Sequence, residues 1–222
     1  MNENEIFNFL SLLGDESAKV TMSNFRSDFK TFNKNTGTIK LDPVTEADRQ
    51  SELLIRELIA KEFPDHSIIG EEYEDIEGDP KYKWYIDPID GTKSFISGIP
   101  LWGTLVGLEI DGIPEFGLID NPATNERYIG SNRASYKIIN NLKKKIRSSD
   151  QRDITNLRFG YTSDEMFDTE NTKRTLNAIN EKVALTRTGG DCYFYGLLAS
   201  GYLDLILENQ LKPFDIIPIV PI

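Results

Sequence analysis

One segment constrains the fold and the chemistry of this chain more than any other: residues 84–92, Trp-Tyr-Ile-Asp-Pro-Ile-Asp-Gly-Thr. An apolar strand runs here into a turn with two carboxylates, and the turn leads into a predicted helix start. Pro88 restricts the backbone so that Asp87 and Asp90 can converge, and the carbonyl of Ile89 can turn toward the same cation. Asp-Pro and Asp-Gly are ordinary turn dipeptides, but joined after an apolar strand they predict a site for a hard cation.

The same turn carries groups that suit a phosphate. Gly91 lets the chain approach a ligand closely, because it has no side chain. The amides of Gly91 and Thr92 lie at the positive end of the predicted helix, where phosphate oxygens are commonly held. The sequence therefore predicts a phosphate and a cation at one place.

Two other acidic positions are candidates for this site. Glu71 ends the strand in Ile-Ile-Gly-Glu-Glu (68–72) and can bridge to the same cations. The same sequence pattern would also fit an acidic side chain in a solvated loop. Asp215, in Lys-Pro-Phe-Asp (212–215), lies at a predicted helix start, where capping alone would explain it.

The charge balance excludes some partners. The 222 residues include 36 Asp and Glu against 25 Lys and Arg, a formal charge of -11, which repels nucleic acid and anionic membranes. The acidic surplus fits either a solvated surface or the gathering of hard cations. One cysteine, Cys192, excludes an internal disulfide and fits a reducing compartment. Without a basic, apolar N-terminal leader, the expected location is the cytoplasm.

Apolar periodicity predicts two halves, residues 1–145 and 146–222. The first half has an amphipathic helix over 6–13, resuming through 20–25, a hairpin at 32–41, and a second helix that Thr45 and Asp48 open as a capping box and Pro64 ends. Strands follow at 67–69 and 83–86, with an exposed, mobile acidic loop between them, and then an antiparallel meander at 101–110, 113–119 and 126–130. After a basic cluster at 143–147, strands and helices alternate, which predicts helices packed on a second sheet.

These motifs together resemble the inositol monophosphatase-like family of lithium-sensitive, magnesium-dependent phosphatases, whose signatures are Gly-Glu-Glu, Asp-Pro-Ile-Asp-Gly-Thr and a late aromatic-Asp. The spacing matches throughout residues 38–221. Within the family, four segments of the sequence resemble the histidinol-phosphatase branch. They are Asp-Pro-Val-Thr-Glu-Ala-Asp-Arg (42–49), Phe-Ile-Ser-Gly-Ile-Pro-Leu-Trp-Gly-Thr-Leu (95–105), Arg-Thr-Gly-Gly-Asp-Cys-Tyr (187–193) and Leu-Lys-Pro-Phe-Asp-Ile (211–216).

The resemblance implies a layered αβαβα sandwich of the inositol monophosphatase and fructose bisphosphatase type, with an antiparallel N-terminal sheet, a mixed C-terminal sheet and the site between them. It implies two or three Mg²⁺ ions and a homodimer. The implied metal ligands are Glu71, Asp87, the Ile89 carbonyl, Asp90 and Asp215. Thr92 and Glu71 would orient the attacking water, and Asp48 would lie behind that water and Thr92, although its capping role alone would account for it. The implied substrate-binding residues are Gly91, Thr92, Arg187, Gly189, Gly190, Asp191, Glu208 and Asp215.

Two departures from the family pattern stand out. Phe214 replaces the usual Trp, which keeps an aromatic wall. The chain also stops at Ile222, where family members continue for roughly forty residues that complete the second sheet. Either the sequence is a fragment, or its C-terminal half is less rigid than in its relatives.

The expected activity is metal-assisted hydrolysis of a small phosphate monoester. With histidinol phosphate, Asp191 or Glu208 would meet the ammonium and imidazole; with inositol monophosphate, the same acids would accept hydrogen bonds from ring hydroxyls. A sugar bisphosphate or phosphoadenosine phosphate is a weaker alternative. A binding module without turnover is the alternative from another class of protein, and the intact ligand acids argue against it.

Overall fold

The computed structural model describes residues 2–27, 31–33 and 43–222. The first part of the chain forms α1 (Glu3–Asn24), β1 (Thr31–Asn33), β2 (Pro43–Thr45) and α2 (Glu46–Glu62). β1 and β2 pair in antiparallel register, with Thr31 opposite Thr45. Of the hairpin predicted at 32–41, residues 32 and 33 belong to β1 and the remainder lies outside the described residues.

Both predicted N-terminal helices form. α1 is continuous, without the interruption that the apolar pattern suggested before residue 20. α2 begins with the predicted capping box: Thr45 Oγ1 accepts the amide of Asp48, and Asp48 Oδ2 accepts the amide of Thr45 at 2.8 Å. The helix ends at Glu62, just before Pro64. None of the helices in the described part of the chain is long and apolar enough to cross a membrane.

A seven-stranded sheet forms the centre of the molecule. Its strands are β3 (His66–Gly70), β4 (Asp79–Asp90), β5 (Gly103–Ile110), β6 (Ile113–Asn121), β7 (Glu126–Ser131), β8 (Ser135–Ile139) and β9 (Leu142–Ile146), with the short helix α3 (Thr92–Ile96) after β4. The strands lie in chain order, and all neighbours are antiparallel except the pair β3 and β4. The predicted meander is therefore confirmed and continues through β8 and β9.

A smaller sheet follows. It contains β10 (Arg158–Tyr161), β11 (Leu185–Thr188) and β12 (Leu205–Ile206), and the helices of this part are α4 (Glu170–Asn180), α5 (Asp191–Ala199) and α6 (Pro213–Ile216). β10 lies in the middle, parallel to both neighbours, so the described strands of this sheet are all parallel rather than mixed.

Packing arranges these elements in five layers. α1 and α2 cover one face of the large sheet through a core that includes Leu10, Ile55 and Trp84. α5 and α6 contact the other face. α5 also contacts β10: Phe194 lies against Gly160, while the neighbouring residue Phe159 points to the opposite face and packs with Leu176 of α4. The order is thus α1 and α2, large sheet, α5 and α6, small sheet, α4, which confirms the predicted αβαβα fold class.

The end of the chain returns to the large sheet across a row of glycines. Gly107, Gly117 and Gly130 lie opposite one another on β5, β6 and β7. A Cβ atom at Gly117 would lie 1.9 Å from the carbonyl oxygen of Pro218, and one at Gly130 would lie 2.2 Å from that of Pro221. Residues 217–222 can therefore lie flat on the sheet only because these side chains are absent.

We expect Gly117→Ala to destabilise the protein by about 1–3 kcal/mol, because the added methyl group overlaps backbone that must move. Urea unfolding checks this. Lys144→Ala is the control: residue 144 is an exposed position on β9 of the same sheet. Equal stability of Gly117→Ala and wild type would contradict this packing.

Candidate active site

The acidic turn is a β-bulge inside a strand. The sequence predicted that the strand ends near Ile86, but β4 continues to Asp90. Asp87 pairs with Leu105 and Asp90 with Gly103, so three residue steps on β4 oppose two on β5. In a regular strand, residues i and i+3 point to opposite faces; one extra residue turns both carboxylates to the same face. Pro88 suits the bulge because it has no amide hydrogen to leave unpaired.

Three of the predicted metal ligands form one cluster. Asp87, Asp90 and Asp215 each offer a carboxylate oxygen, and these oxygens lie within 4.8 Å of one another. Asp215 comes from α6, where its Oδ2 also accepts the amide of Lys212 at 2.6 Å. Asp215 thus both caps α6 and belongs to the acidic cluster. Glu71 lies at the start of the loop after β3 and acts on Asp87 through charge repulsion and a side-chain hydrogen bond.

Burial and like charge both disfavour ionisation in this cluster. Burial is the main cause that raises the pKa of Asp87 well above its usual value, and Glu71, Asp90 and Asp215 raise it further. Asp90 has its pKa raised in the same way, by burial first and then by Asp191, Asp215 and Glu208. Burial raises the pKa of Asp215 to about 6. Without a cation, burial and like charge therefore both favour the protonated form of these groups.

The backbone after the bulge places the predicted phosphate-binding groups. Gly91 has φ +84°, and a Cβ atom there would lie 3.0 Å from the side chain of Asp191. Glycine is needed for both the positive φ and the close approach. The hydroxyl of Thr92 donates to the Ile89 carbonyl at 3.1 Å, so its lone pairs can still accept a hydrogen bond from a water.

The first turn of α5 connects the two sheets at the site. The amide of Cys192 donates to Asp90 Oδ2 at 2.5 Å, and Ser94 Oγ donates to Asp191 Oδ2 at 2.6 Å. Asp191 does not act as the N-cap of this helix; the N-cap is Gly190, without a side-chain hydrogen bond. Burial raises the pKa of Asp191 and, more strongly, that of the Cys192 thiol, which disfavours the reactive thiolate.

Glu208 is held just behind the site. Its carboxylate accepts hydrogen bonds from Thr162 Oγ1 and, at 3.0 Å, from the hydroxyl of Tyr195. Thr162 Oγ1 also accepts the amide of Asp191 at 3.1 Å. Glu208 contributes to the raised pKa of Asp90, so the two carboxylates are electrostatic neighbours.

A chain of buried hydroxyls supports the bulge from the opposite side. Thr104 Oγ1 donates to the Pro88 carbonyl at 2.8 Å, and Ser17 Oγ lies 2.8 Å from both Thr104 Oγ1 and Ser51 Oγ. Ser17 is on α1, Ser51 on α2 and Thr104 on β5, and all three are fully buried. Sequence reasoning missed them, because they lie far apart in the chain and each alone is an ordinary helix or strand residue.

A cavity of about 410 Å³ opens beside the cluster, a size that suits a small molecule. Five predicted site residues line it: Asp90, Gly91, Thr92, Asp191 and Asp215. Arg187, Gly189, Gly190 and Glu208 are not among the described residues of its wall, and Arg187 is exposed on β11. The wall residues that the sequence did not single out are Lys93, Thr162, Ser163, Glu165, Met166, Asn209, Gln210 and Leu211.

Clustered carboxylates beside a cavity of this size can hold a divalent cation next to a small ligand. The inositol monophosphatase family matches residues 2–222. The bifunctional phosphatase IMPL2, chloroplastic, of Arabidopsis thaliana is 38% identical over 212 residues, which cover 95% of this chain and 59% of that protein. A histidinol-phosphatase of Chlorobaculum parvum is 33% identical over 211 residues, covering 95% and 79%. The solved inositol monophosphatase of Zymomonas mobilis superposes with a TM-score of 0.83 at 31% identity, over 100% of this chain and 83% of that one.

The chain belongs to the inositol monophosphatase family. The resemblance noted from the motifs is thereby confirmed, and the matched phosphatases support the predicted enzyme class, a phosphomonoesterase. The chain spans less than two thirds of the Arabidopsis relative. None of these matches distinguishes one phosphate monoester from another.

In a chelating buffer, we expect the contribution of Asp215 to stability to be lost as the pH rises from about 4 to 6. The raised pKa of Asp215, about 6 against 3.8, means that the folded state binds the proton more tightly, so this stability is present below 3.8 and lost through 6. Asp215→Asn should therefore be more stable than wild type at pH 8, with the difference vanishing near pH 4. Melting curves across this range, with the exposed Asp65→Asn as control, check it; a less stable Asp215→Asn at pH 8 would contradict it.

Proposed function

We propose that this chain is a magnesium-dependent phosphomonoesterase whose cations are held by Glu71, Asp87, the Ile89 carbonyl, Asp90 and Asp215. The observation that carries the proposal is the cluster of Asp87, Asp90 and Asp215, of which Asp87 is buried and the other two are half-buried. All-oxygen donors suit magnesium better than zinc. The raised pKa values of these acids fit a site that a cation completes, because a divalent ion would remove the repulsion.

The residues around the cluster have separate tasks in this proposal. When bound, magnesium would neutralise the phosphoryl charge and favour ionisation of the attacking water. The amides of Gly91 and Thr92 hold phosphate oxygens, and Thr92 Oγ1 and Glu71 orient the water. The roles of Thr92, Glu71 and Asp48 toward this water remain predictions from the family resemblance.

Histidinol phosphate is the substrate that the cavity favours. Once Asp90 and Asp215 bind cations, the remaining charged groups of the wall are Asp191 and Glu165 against Lys93. This leaves an excess negative charge where the organic part of the substrate would lie, which suits an ammonium or imidazolium group. The similarity to the Chlorobaculum histidinol-phosphatase agrees with this choice. Inositol monophosphate is the second candidate, since the Zymomonas inositol monophosphatase is nearly as similar in sequence.

We further propose a division of the chain between residues 145 and 146, a homodimer, and a cytoplasmic location. Residues 213–222 belong to the second part in this division, although they pack against β4 and β5 of the first. Light scattering of the purified protein tests the dimer.

Asp90→Asn should reduce magnesium-dependent phosphate release by about 100-fold or more while leaving the fold intact. The amide oxygen of Asn can still accept the hydrogen bond from Cys192, and the loss of one charge relieves repulsion in the apo protein. Phosphate release at saturating magnesium and melting temperature in chelator measure the two effects, with the exposed Asp168→Asn as control. Wild-type turnover in Asp90→Asn would refute the proposed site.

Asp191→Asn separates the two substrates. A desolvated carboxylate bonded to an ammonium is worth about 1.5–3 kcal/mol, so kcat/KM for histidinol phosphate should fall by about one to two powers of ten. The kcat/KM for inositol monophosphate, whose ring is uncharged, should stay unchanged. Equal losses for both would oppose a charge-selective role, and a wild type that prefers inositol phosphate would overturn the choice of substrate.

A further inference from the structure

Glu52 and Arg56 form a buried ion pair directly beneath the start of the acidic loop. Both residues lie on α2 and are 0% and 5% exposed. Arg56 Nε donates to Glu52 Oε1 at 2.7 Å. Few charged pairs are buried this deeply unless their hydrogen-bonding groups have further partners, and here those partners are on the loop.

The pair holds the loop backbone on both its donor and its acceptor groups. Glu52 accepts the amides of Glu72 at 2.8 Å and of Tyr73 at 3.3 Å. Arg56 donates to the carbonyls of Tyr73 and Glu74, each at 3.0 Å. Four hydrogen bonds thus fix three consecutive residues of a loop whose side chains are largely exposed.

The residue before the loop is shaped for this contact. A Cβ atom at Gly70 would lie 2.1 Å from Glu52 Oε1 and 2.7 Å from Arg56 Nη2. Gly70 has no positive φ, so its lack of a side chain is explained by this close approach and not by backbone conformation. Glu71 is therefore fixed on both sides, since its own amide donates to the Ile86 carbonyl of β4 at 3.2 Å.

We propose that Glu52 and Arg56 are positioning residues that hold Glu71 against Asp87, so that the acidic cluster has its cation-binding geometry before the cation arrives. This inference rests on the proposed function. The pair touches neither the cavity wall nor Asp87 in the contacts above, so it acts through the backbone of residues 70–74. Groups that orient a metal ligand commonly change metal affinity by about 10–100-fold when they are replaced.

Two substitutions test the proposal without removing the pair altogether. Glu52→Gln keeps the shape of the side chain but places an amide donor against donors from the loop or Arg56. Arg56→Lys keeps the charge but loses the planar fork that reaches two carbonyls. Since both charges remain in Arg56→Lys, a weaker site in that variant reports a displaced loop and not a changed field. Asp120→Asn is the matched control: Asp120 is also a buried acid paired with an arginine, Arg127, on the same face of the sheet.

The experiment measures Mg²⁺ binding by calorimetry and the rise in melting temperature during a Mg²⁺ titration, alongside kcat at saturating Mg²⁺. We expect both variants to bind Mg²⁺ about 10–100-fold more weakly and to regain most of kcat at high Mg²⁺. Asp120→Asn should lose stability with unchanged Mg²⁺ affinity. Hydrogen exchange of the amides of residues 72 and 73 should quicken in Glu52→Gln.

If both variants fold and bind Mg²⁺ with wild-type affinity, the proposal is wrong. If Glu52→Gln does not fold, wild-type affinity in Arg56→Lys is enough to overturn the proposal. Either result would leave a merely structural ion pair. The failure of the proposed function looks different: a wild type that neither binds Mg²⁺ nor releases phosphate from any tested monoester would refute the site itself.

Discussion

The repulsion between carboxylates buried at the end of β4 is the interaction on which the rest of this structure depends. Isolated charges in such a place are unfavourable, and their raised pKa values show it. The surrounding elements hold them together: the bulge turns Asp87 and Asp90 to one side, the hydroxyls of Ser17, Ser51 and Thr104 support the Pro88 carbonyl, and the amide of Cys192 binds Asp90. A scaffold that opposes this repulsion in the apo state is prepared for a cation.

The site also explains how the two sheets are joined. Asp87 and Asp90 come from the large sheet, Asp191 from the helix between the sheets, and Asp215 from the last short helix. Gly91 and the glycine row of β5, β6 and β7 let these separate segments approach at backbone distance. The contacts that pack the layers are therefore also the contacts that assemble the site. We expect a substitution that disturbs the packing of the layers to disturb the site as well.

The sequence predicted the parts of this structure that local signals encode. The capping box of α2, the antiparallel meander and the convergence of Asp87 and Asp90 each have such a signal, and the family resemblance supplied the layered fold. The continuation of β4 through the bulge was missed, because Asp-Pro reads as a turn when its partner strand is not known. The hydroxyl chain and the clamp of Glu52 and Arg56 join residues from distant segments, and no short pattern marks them. Arg187, which motif similarity assigns to the substrate, is exposed on β11 outside the described cavity wall, so its role stays a prediction.

Family membership and cavity shape do not distinguish one phosphate monoester from another, so the charge of the cavity wall is the distinguishing feature. All candidate substrates share one requirement, a cation at the bulge. Crystals soaked in Mn²⁺, which takes the oxygen ligands of Mg²⁺, measure this directly through anomalous scattering. Our account predicts an anomalous peak in contact with carboxylate oxygens of Asp87, Asp90 and Asp215, with Glu71 adjoining it. Crystals of the folded protein without a peak at these residues, at millimolar Mn²⁺ and neutral pH, would contradict it.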